Sequence, residues 1–142
     1  MISIKKQCNW LITGGAGFIG SNLCNFLIEN KQNVVCVDNF STGKIKNLKK
    51  NFENKNLKII KKDIRLIYKI NAIKKVDFVV HLAAVGSVSR SIKNPIETNS
   101  VNVDGSLKLL EFAEKLNAKK FIFASSSSVY GNLRKEYKIE SD

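Results

Sequence analysis

Residues 9–20 read N-W-L-I-T-G-G-A-G-F-I-G. A short apolar run ends at Thr13, four glycines follow within seven residues, and helix-forming sequence begins at Phe18. Glycine lets the backbone adopt positive φ and approach a ligand closely, and a helix N-terminus presents unpaired N–H groups. The stretch therefore predicts a strand, a tight turn and a helix start that together hold a phosphate or pyrophosphate.

Two glycine patterns fit this turn. Gly15, Gly17 and Gly20 spell G-x-G-x-x-G, whereas Gly14, Gly17 and Gly20 spell G-x-x-G-x-x-G. An acidic residue, Asp38, follows about 20 positions later, as a dinucleotide site requires. Its carboxylate would accept hydrogen bonds from the adenosine ribose hydroxyls and would repel the 2′-phosphate of NADP. We therefore predict an NAD site, with a turn that binds no ligand as the alternative.

Composition indicates one globular domain. The chain has 142 residues, of which 44% are hydrophobic and one is proline. No apolar run reaches the roughly 18 residues of a membrane span, and a signal-peptide pattern is missing, so we expect a cytoplasmic protein without a membrane partner. Cys8, Cys24 and Cys36 lack metal-ligand spacing and are predicted to be reduced structural thiols, with no metal. The single histidine, His81, is also predicted to be structural.

The formal net charge of +12 raises the question of a nucleic-acid partner. Eight lysines lie between residues 44 and 62 against one acidic residue, Glu53, so much of the excess is local. Aromatic residues are sparse in this region, and the lysines do not share one helical face. We therefore predict a lysine-rich solvated surface and no nucleic-acid partner.

Apolar runs and amphipathic stretches alternate along the chain. Strands are predicted at residues 10–12, 34–37, 57–60, 78–82 and 121–124, and helices at 18–29, 66–74 and 95–116. This alternation predicts an α/β fold: a Rossmann-like open parallel sheet of about five strands, in the order 3-2-1-4-5, with helices on both faces. We assign residues 1–131 to this domain and residues 132–142 to a polar tail.

The ends of the predicted strands carry the candidate binding residues. Because the carboxyl ends of parallel strands face the ligand crevice, Asp63 and Ile64 are expected to border the adenine. Residues 82–84 are L-A-A, whose small side chains allow close packing against a flat cofactor. The polar loop 86–91 opens towards a substrate. Within it, Arg90 either pairs with a phosphate or is solvated.

The predicted helix 95–116 carries two apolar stripes on opposite faces. One consists of Ile96, Val103, Leu107 and Leu110, and the other of Val101, Leu109, Phe112 and Leu116. One stripe can cover the sheet. The other needs a further helix, and both it and the open edge of the fifth strand are expected to promote self-association.

Four motifs in order resemble one family. They are T-G-G-A-G-F-I-G at 13–20, D-N-F-S-T-G at 38–43, H-L-A-A-V-G-S-V at 81–88 and S-S-S-S-V-Y-G at 125–131. The chain resembles the amino-terminal half of extended short-chain dehydrogenase/reductases, the NAD-dependent epimerase/dehydratase family acting on nucleotide sugars. The stretch A-A-V-G-S-V-S-R-S-I-K-N-P at 83–95 looks most like UDP-hexose or UDP-N-acetylhexosamine 4-epimerases.

The resemblance implies a set of site residues. Those for NAD are Gly14, Gly17, Phe18, Ile19 and Gly20 at the pyrophosphate, Asp38 and Asn39 at the ribose, and Phe40, Ser41, Thr42, Gly43, Asp63, Ile64, Leu82, Ala83, Ala84 and Asn102 elsewhere. Ser126 matches the catalytic serine and would also bind substrate together with Gly86 and Ser87. The implied partners are a nucleotide sugar, most simply a UDP-sugar, and a second copy of the chain that pairs through the helix at about 96–116.

The family's catalytic pair is missing from this sequence. In the family, a tyrosine four residues before a lysine takes the proton from the sugar hydroxyl while a hydride passes to the nicotinamide. Here Tyr68, Tyr130 and Tyr137 are followed four places later by Ala72, Arg134 and Ser141. The resemblance thus implies a truncated chain that lacks the later strands and the substrate domain and is inactive alone. The alternatives are a dehydratase or decarboxylase of the same family, or a non-catalytic NAD-binding module.

Overall fold

The structure is a computed structural model that describes residues 6–133 and 135–141. Its core is a five-stranded sheet made of β1 (Asn9–Thr13), β2 (Asn33–Asp38), β3 (Leu57–Lys61), β4 (Phe78–His81) and β5 (Lys120–Phe123). The strand order is β3-β2-β1-β4-β5, and all four pairings are parallel. The chain changes direction across the sheet between β1 and β4, and such a point opens a ligand crevice at the carboxyl ends of the strands. The predicted fold class is confirmed.

Helical segments cover both faces of this sheet. The α-helices are α1 (Phe18–Glu29), α2 (Val88–Lys93), α3 (Pro95–Asn99) and α4 (Gly105–Lys115), and α3 and α4 are joined by a π-helical turn, Ser100–Asp104. Short 3-10 helices span Ile45–Asn51, Ile64–Lys69 and Ser127–Tyr130. Predicted and observed strand bounds differ by at most one residue, which is within the usual uncertainty at element ends.

Two hydrophobic cores lie on opposite faces of the sheet, because successive strand residues point to opposite sides. Leu11 and Ile12 are neighbours in β1, both fully buried, one in each core. One core contains Leu11, Val37, Ile67, Val79, Leu109 and Phe112, and the other contains Ile12, Cys24, Leu27, Cys36, Leu48 and Val80. The three central strands, β1, β2 and β4, are therefore buried on both sides, as expected of a parallel sheet.

The prediction of a helix at residues 66–74 is wrong in the type of helix and in its bounds. The structure instead has a 3-10 helix at Ile64–Lys69, followed by irregular chain. Ile64, Ile67, Ile70 and Ile73 are all buried, so the buried side chains recur every three residues. That spacing matches the 3.0 residues per turn of a 3-10 helix rather than the 3.6 of an α-helix.

The helix predicted at 95–116 is confirmed as a continuous helical stretch but contains the π-helical turn Ser100–Asp104. Val101, Leu109 and Phe112 are at most 9% exposed, and Leu109 and Phe112 belong to the same core as Leu11 of β1. The opposite side forms an outer stripe of Ile96, Val103, Leu107 and Leu110, which are 49–85% exposed. Ile122 and Phe123 of β5 are also exposed, at the open edge of the sheet.

Candidate functional site

The glycine turn between β1 and α1 is held by backbone contacts that exclude side chains. Gly14 has φ +66°, and a Cβ atom there would lie 2.7 Å from the backbone nitrogen of Ala83. The N–H of Gly17 donates to the carbonyl oxygen of Gly14 over 3.1 Å. A Cβ atom on Gly20 would lie 2.3 Å from that same carbonyl oxygen. These contacts favour the Gly14, Gly17, Gly20 pattern, in which the three glycines bring α1 against the turn.

Gly15 has a different role, because it packs against two buried thiols. A Cβ atom on Gly15 would lie 2.5 Å from Sγ of Cys36 and 3.4 Å from Sγ of Cys24. Both cysteines are free and fully buried. The hydrogen bond with Cys24 and burial raise the pKa of the Cys36 thiol well above its ordinary value. Cys36 is therefore a protonated thiol, and both cysteines are free, buried packing residues in this structure, as predicted.

The N-terminus of α1 is open to an anion. Its N-cap residue is Gly17, which makes no side-chain cap, and the first turn contains no acidic residue. The first N–H groups of a helix have no intrahelical partner and carry the positive end of the helix dipole. A pyrophosphate placed here would find N–H donors and positive electrostatic potential, and no acidic side chain of the first turn would compete with it.

Asp38 lies at the end of β2 and is oriented by two backbone groups. Its Oδ2 accepts a hydrogen bond from the N–H of Ala16 over 2.9 Å, and its Oδ1 accepts from the N–H of Phe40 over 2.7 Å. The residue is 7% exposed. Since each carboxylate oxygen can accept more than one hydrogen bond, both oxygens retain capacity for ribose hydroxyls. The N–H groups hold the acceptor in place before any ligand arrives.

Two neighbouring cavities open at the carboxyl ends of the strands. The first, of about 400 Å³, is lined by the predicted residues Gly14, Gly17, Asp38, Asn39, Ser41, Thr42, Gly43, Asp63, Ile64, Leu82, Ala83 and Ala84. The second, of about 690 Å³, shares Gly14, Gly17, Thr42, Leu82 and Ala84 with it and adds Phe18, Ile19, Gly20, Gly86 and Ser87. An elongated ligand can therefore run from Asp38 past the glycine turn to Ser87. The structure brings together 17 of the residues that the sequence predicted.

Three of the predicted site residues do not line these cavities. Phe40 contributes its N–H to Asp38. Asn102 pairs with the backbone of Val85, whose N–H donates to Oδ1 over 2.8 Å and whose carbonyl accepts from Nδ2 over 3.2 Å. Ser126 is exposed just after β5, where its Oγ accepts from the N–H of Ser128. In this structure Phe40 and Asn102 thus support the cavity wall rather than form it.

Eight lining residues were not assigned to the site from sequence: Lys62, Val85, Arg90, Asn94, Glu97, Thr98, Val101 and Ala124. Lys62 precedes Asp63 at the end of β3, so the strand-end rule could have included it. Glu97, Thr98 and Val101 share one helix face, but their sequence spacing does not say what that face covers. Arg90, for which two interpretations stood open, lines both cavities.

Asp63 forms part of a charged wall at the first cavity. The Nε and Nη2 atoms of Arg65 donate to its two oxygens over 2.9 and 2.8 Å, and Nη1 of Arg65 reaches Oε2 of Glu97 over 3.0 Å. Nδ2 of Asn39 also donates to Asp63, over 3.1 Å. Hydrogen bonding to Arg65 lowers the pKa of Asp63 to about 2, so the carboxylate is ionised at neutral pH. The wall links the end of β3 to α3.

His81 is buried in the sheet, 2% exposed, and does not reach the cavities. Its Nδ1 lies 2.7 Å from Oγ1 of Thr13, and its Nε2 lies 2.8 Å from Oγ of Ser106. Burial lowers the pKa of His81 to about 4, so the imidazole is neutral at physiological pH. The predicted structural role agrees with this environment.

None of the helices formed by residues 6–133 and 135–141 is long and apolar enough to cross a membrane. Within the same ranges, no group of three His, Cys, Asp or Glu side chains comes together as a metal site would need.

Comparison with known proteins identifies the family. A family model described as GDP-mannose 4,6 dehydratase matches residues 11–142. A putative UDP-glucose 4-epimerase of Methanocaldococcus jannaschii is 43% identical over 122 residues, which cover 85% of this chain and 39% of that protein. UDP-glucuronic acid decarboxylase 4 of Arabidopsis thaliana is 36% identical over 137 residues, which cover 96% of this chain and 30% of that protein. The chain thus spans less than half the length of these relatives.

Solved structures show the same similarity. The UDP-N-acetylglucosamine 4-epimerase from Methanobrevibacter ruminantium M1 matches with a TM-score of 0.82 and 43% identity, over 96% of this chain and 44% of that chain. The UDP-glucose 4-epimerase from Bifidobacterium longum, solved with NAD+ and UDP, matches with a TM-score of 0.80 and 33% identity, over 93% and 41% of the two chains. From the matched family model, these relatives and the shared sheet topology, the chain belongs to the NAD-dependent epimerase/dehydratase family and corresponds to its amino-terminal part.

Proposed function

We propose that this chain is the NAD-binding part of a UDP-sugar 4-epimerase. The observation that carries the proposal is the pair of neighbouring cavities joining Asp38, the glycine turn and Ser87 along one edge of the sheet. The similar proteins named as 4-epimerases act on UDP-sugars, and one was solved with NAD+. The proposal assigns residues 1–131 to the NAD-binding domain and includes the predicted cytoplasmic location.

The residues present fit a dinucleotide. The uncapped N-terminus of α1 suits the pyrophosphate, and the carboxylate of Asp38 suits the two hydroxyls of the adenosine ribose. Ala83 and Ala84 present small side chains to the first cavity, so a flat ring can approach the backbone. When bound there, NAD would supply reversible hydride transfer with the sugar, so the overall reaction would be redox-neutral.

Substrate contacts are proposed at the end of the second cavity. Gly86 and Ser87 line it together with Ala124, which lies two residues before Ser126. Oγ of Ser126 accepts from the N–H of Ser128, so its own proton can be donated to a sugar hydroxyl. We assign Ser126 the role of orienting that hydroxyl. The outer stripe is the proposed contact with a second copy of the chain, because a row of apolar side chains at this exposure favours burial against a partner.

The first test concerns Asp38. The 142-residue chain is expected to bind NAD, and Asp38→Asn is expected to weaken binding about 100-fold. An amide has only one oxygen, so one of the N–H groups of Ala16 and Phe40 would face an NH₂ group, and the charge that attracts the ribose hydroxyls would be lost. Isothermal titration calorimetry with NAD measures this effect.

The matched control is Asp104→Asn, which makes the same chemical change at an exposed position of the π-helical turn outside both cavities. Its affinity for NAD should equal that of the unaltered chain. Equal losses in Asp38→Asn and Asp104→Asn, or no binding of NAD by the unaltered chain, would contradict the proposed site.

A second test concerns activity. With saturating NAD, the 142-residue chain is expected not to interconvert UDP-glucose and UDP-galactose, because none of its tyrosines is followed four residues later by lysine. Proton NMR of the sugar anomeric signals measures conversion, and an active full-length epimerase in parallel shows that the assay works. Conversion at a rate proportional to the concentration of this chain would refute the expectation.

A second candidate function is the corresponding part of a UDP-glucuronic acid decarboxylase. It is favoured by the similarity to the Arabidopsis thaliana decarboxylase along almost the whole chain. We prefer the epimerase because relatives named as 4-epimerases reach the higher identity.

A further inference from the structure

A chain of buried and partly buried hydrogen bonds lies next to the wall of the first cavity. The N–H of Ala83 donates to Oγ1 of Thr13 over 3.4 Å, and Oγ1 of Thr13 lies 2.7 Å from Nδ1 of His81. Nε2 of His81 lies 2.8 Å from Oγ of Ser106, which donates to the carbonyl oxygen of Asn102 over 2.6 Å. The chain joins the ends of β1 and β4 to the π-helical turn. We call it the His81 chain.

Only one direction of donation satisfies every member of the His81 chain. The carbonyl oxygen of Asn102 can only accept, so the single proton of Ser106 is used there and Ser106 must accept from Nε2–H of His81. In a neutral imidazole Nδ1 then accepts the proton of the Thr13 hydroxyl, and the Thr13 oxygen accepts from Ala83. The tautomer of His81 is thereby determined by its neighbours.

Both ends of the His81 chain reach the wall of the first cavity. At one end is the N–H of Ala83. At the other end Asn102 holds Val85 through two hydrogen bonds, one to its N–H and one to its carbonyl oxygen. Ala83 and Val85 line the cavity, whereas His81, Ser106 and Asn102 do not. The π-helical turn carries Asn102, and π turns in helices are frequent at functional sites.

We propose that His81, Ser106 and Asn102 are positioning residues that set the backbone of residues 83–85 for the dinucleotide and thereby determine its affinity. The inference rests on the proposed NAD-binding function. A positioning role differs from a purely structural role for His81, because it changes the affinity for a ligand that His81, Ser106 and Asn102 do not contact. The backbone of residues 83–85 is the element through which they act.

Ser106→Ala tests the proposal, because it removes the acceptor of Nε2–H of His81 and the hydroxyl that donates to the carbonyl of Asn102. The expected results are an NAD dissociation constant raised about tenfold and faster hydrogen exchange of the Val85 amide. Ser106→Thr keeps the hydroxyl and should restore both values. Ser100→Ala is the matched control, since Ser100 lies on the same π-helical turn outside the His81 chain and contacts Arg65 only at 3.5 Å.

The single histidine adds a spectroscopic readout. The ¹⁵N NMR spectrum of the imidazole reports one residue, and we expect the Nε2–H tautomer in the unaltered chain and a mixture in Ser106→Ala. An Nδ1–H tautomer in the unaltered chain would overturn the proposal. Unchanged NAD affinity in a folded Ser106→Ala protein, or no recovery in Ser106→Thr, would also overturn it.

A second variant, Asn102→Ala, tests the proposal if Ser106→Ala fails to fold. If Ser106→Ala does not fold, Asn102→Ala removes the hold on Val85 while leaving the buried Thr13 and His81 contacts in place, and it should weaken NAD binding to a similar extent. Unchanged affinity in Asn102→Ala overturns the proposal. Failure of the unaltered chain to bind NAD would instead contradict the proposed function, and the tautomer and exchange measurements would separate the two failures.

Discussion

Replacing Gly20 by alanine is expected to lower the free energy of unfolding by about 3 kcal/mol. The new Cβ atom would lie 2.3 Å from the carbonyl oxygen of Gly14 and 2.6 Å from Cα of Gly15. Both are backbone atoms, which cannot rotate away as a flexible side chain can, so α1 must shift from the glycine turn. Because the same turn forms the proposed pyrophosphate site, NAD binding should be lost as well.

Gly86 supplies the matched control for this substitution. A Cβ atom on Gly86 meets nothing within 4 Å, so Gly86→Ala is expected to change the free energy of unfolding by no more than about 0.5 kcal/mol. Urea unfolding followed by circular dichroism measures both variants. Equal stability losses in Gly20→Ala and Gly86→Ala would show that the close contact of α1 with the turn does not exist.

The stability of the protein is expected to fall by about 2 kcal/mol between pH 7.5 and pH 5 because of His81. Burial lowers the pKa of His81 from 6.5 to about 4. Between these two values the unfolded chain binds a proton that the folded chain does not, so acidification favours unfolding. The contribution of His81 is therefore fully present above about pH 6.5 and is lost progressively as the pH falls towards 4.

The comparison of urea unfolding across this pH window in the unaltered chain and in His81→Gln isolates the effect. His81 is the single histidine, and the lowered pKa of Asp63 acts only below its ordinary value of 3.8. The variant should therefore lose the pH dependence between 7.5 and 5, whatever its absolute stability. A slope that persists in His81→Gln would assign the acid sensitivity to another group.

The glycine turn shows how much of the structure can be predicted from local sequence. The spacing of the glycines and the position of Asp38 were enough to predict the strand, turn, helix and binding edge. They did not distinguish the two glycine patterns. That distinction came from Ala83, which lies against Gly14, and from Cys36, which lies against Gly15, and both are far away along the chain.

The segment after β3 shows where the prediction of secondary structure failed. Its isoleucines recur every three residues, a spacing that was visible in the sequence and that matches the observed 3-10 helix. The helix predicted at 66–74 is instead a 3-10 helix that begins at Ile64 and ends at Lys69. By contrast, the two stripes of the helix at 95–115 were correctly separated, since a period of 3.6 distinguishes opposite faces.

The class of fold, the strand order, the edge of the sheet where the cavities open and most of the residues that line them could be predicted from the amino-acid sequence. Periodicity, glycine spacing and strand-end chemistry are local properties, so they can be seen without coordinates. Three features became visible only in the folded structure: the hydrogen bonds of Asn102 with Val85, the π turn within the helix, and the hydrogen-bonded chain of Thr13, His81 and Ser106. These features depend on distances between residues far apart in sequence, and such distances are set only when the two cores pack around the sheet.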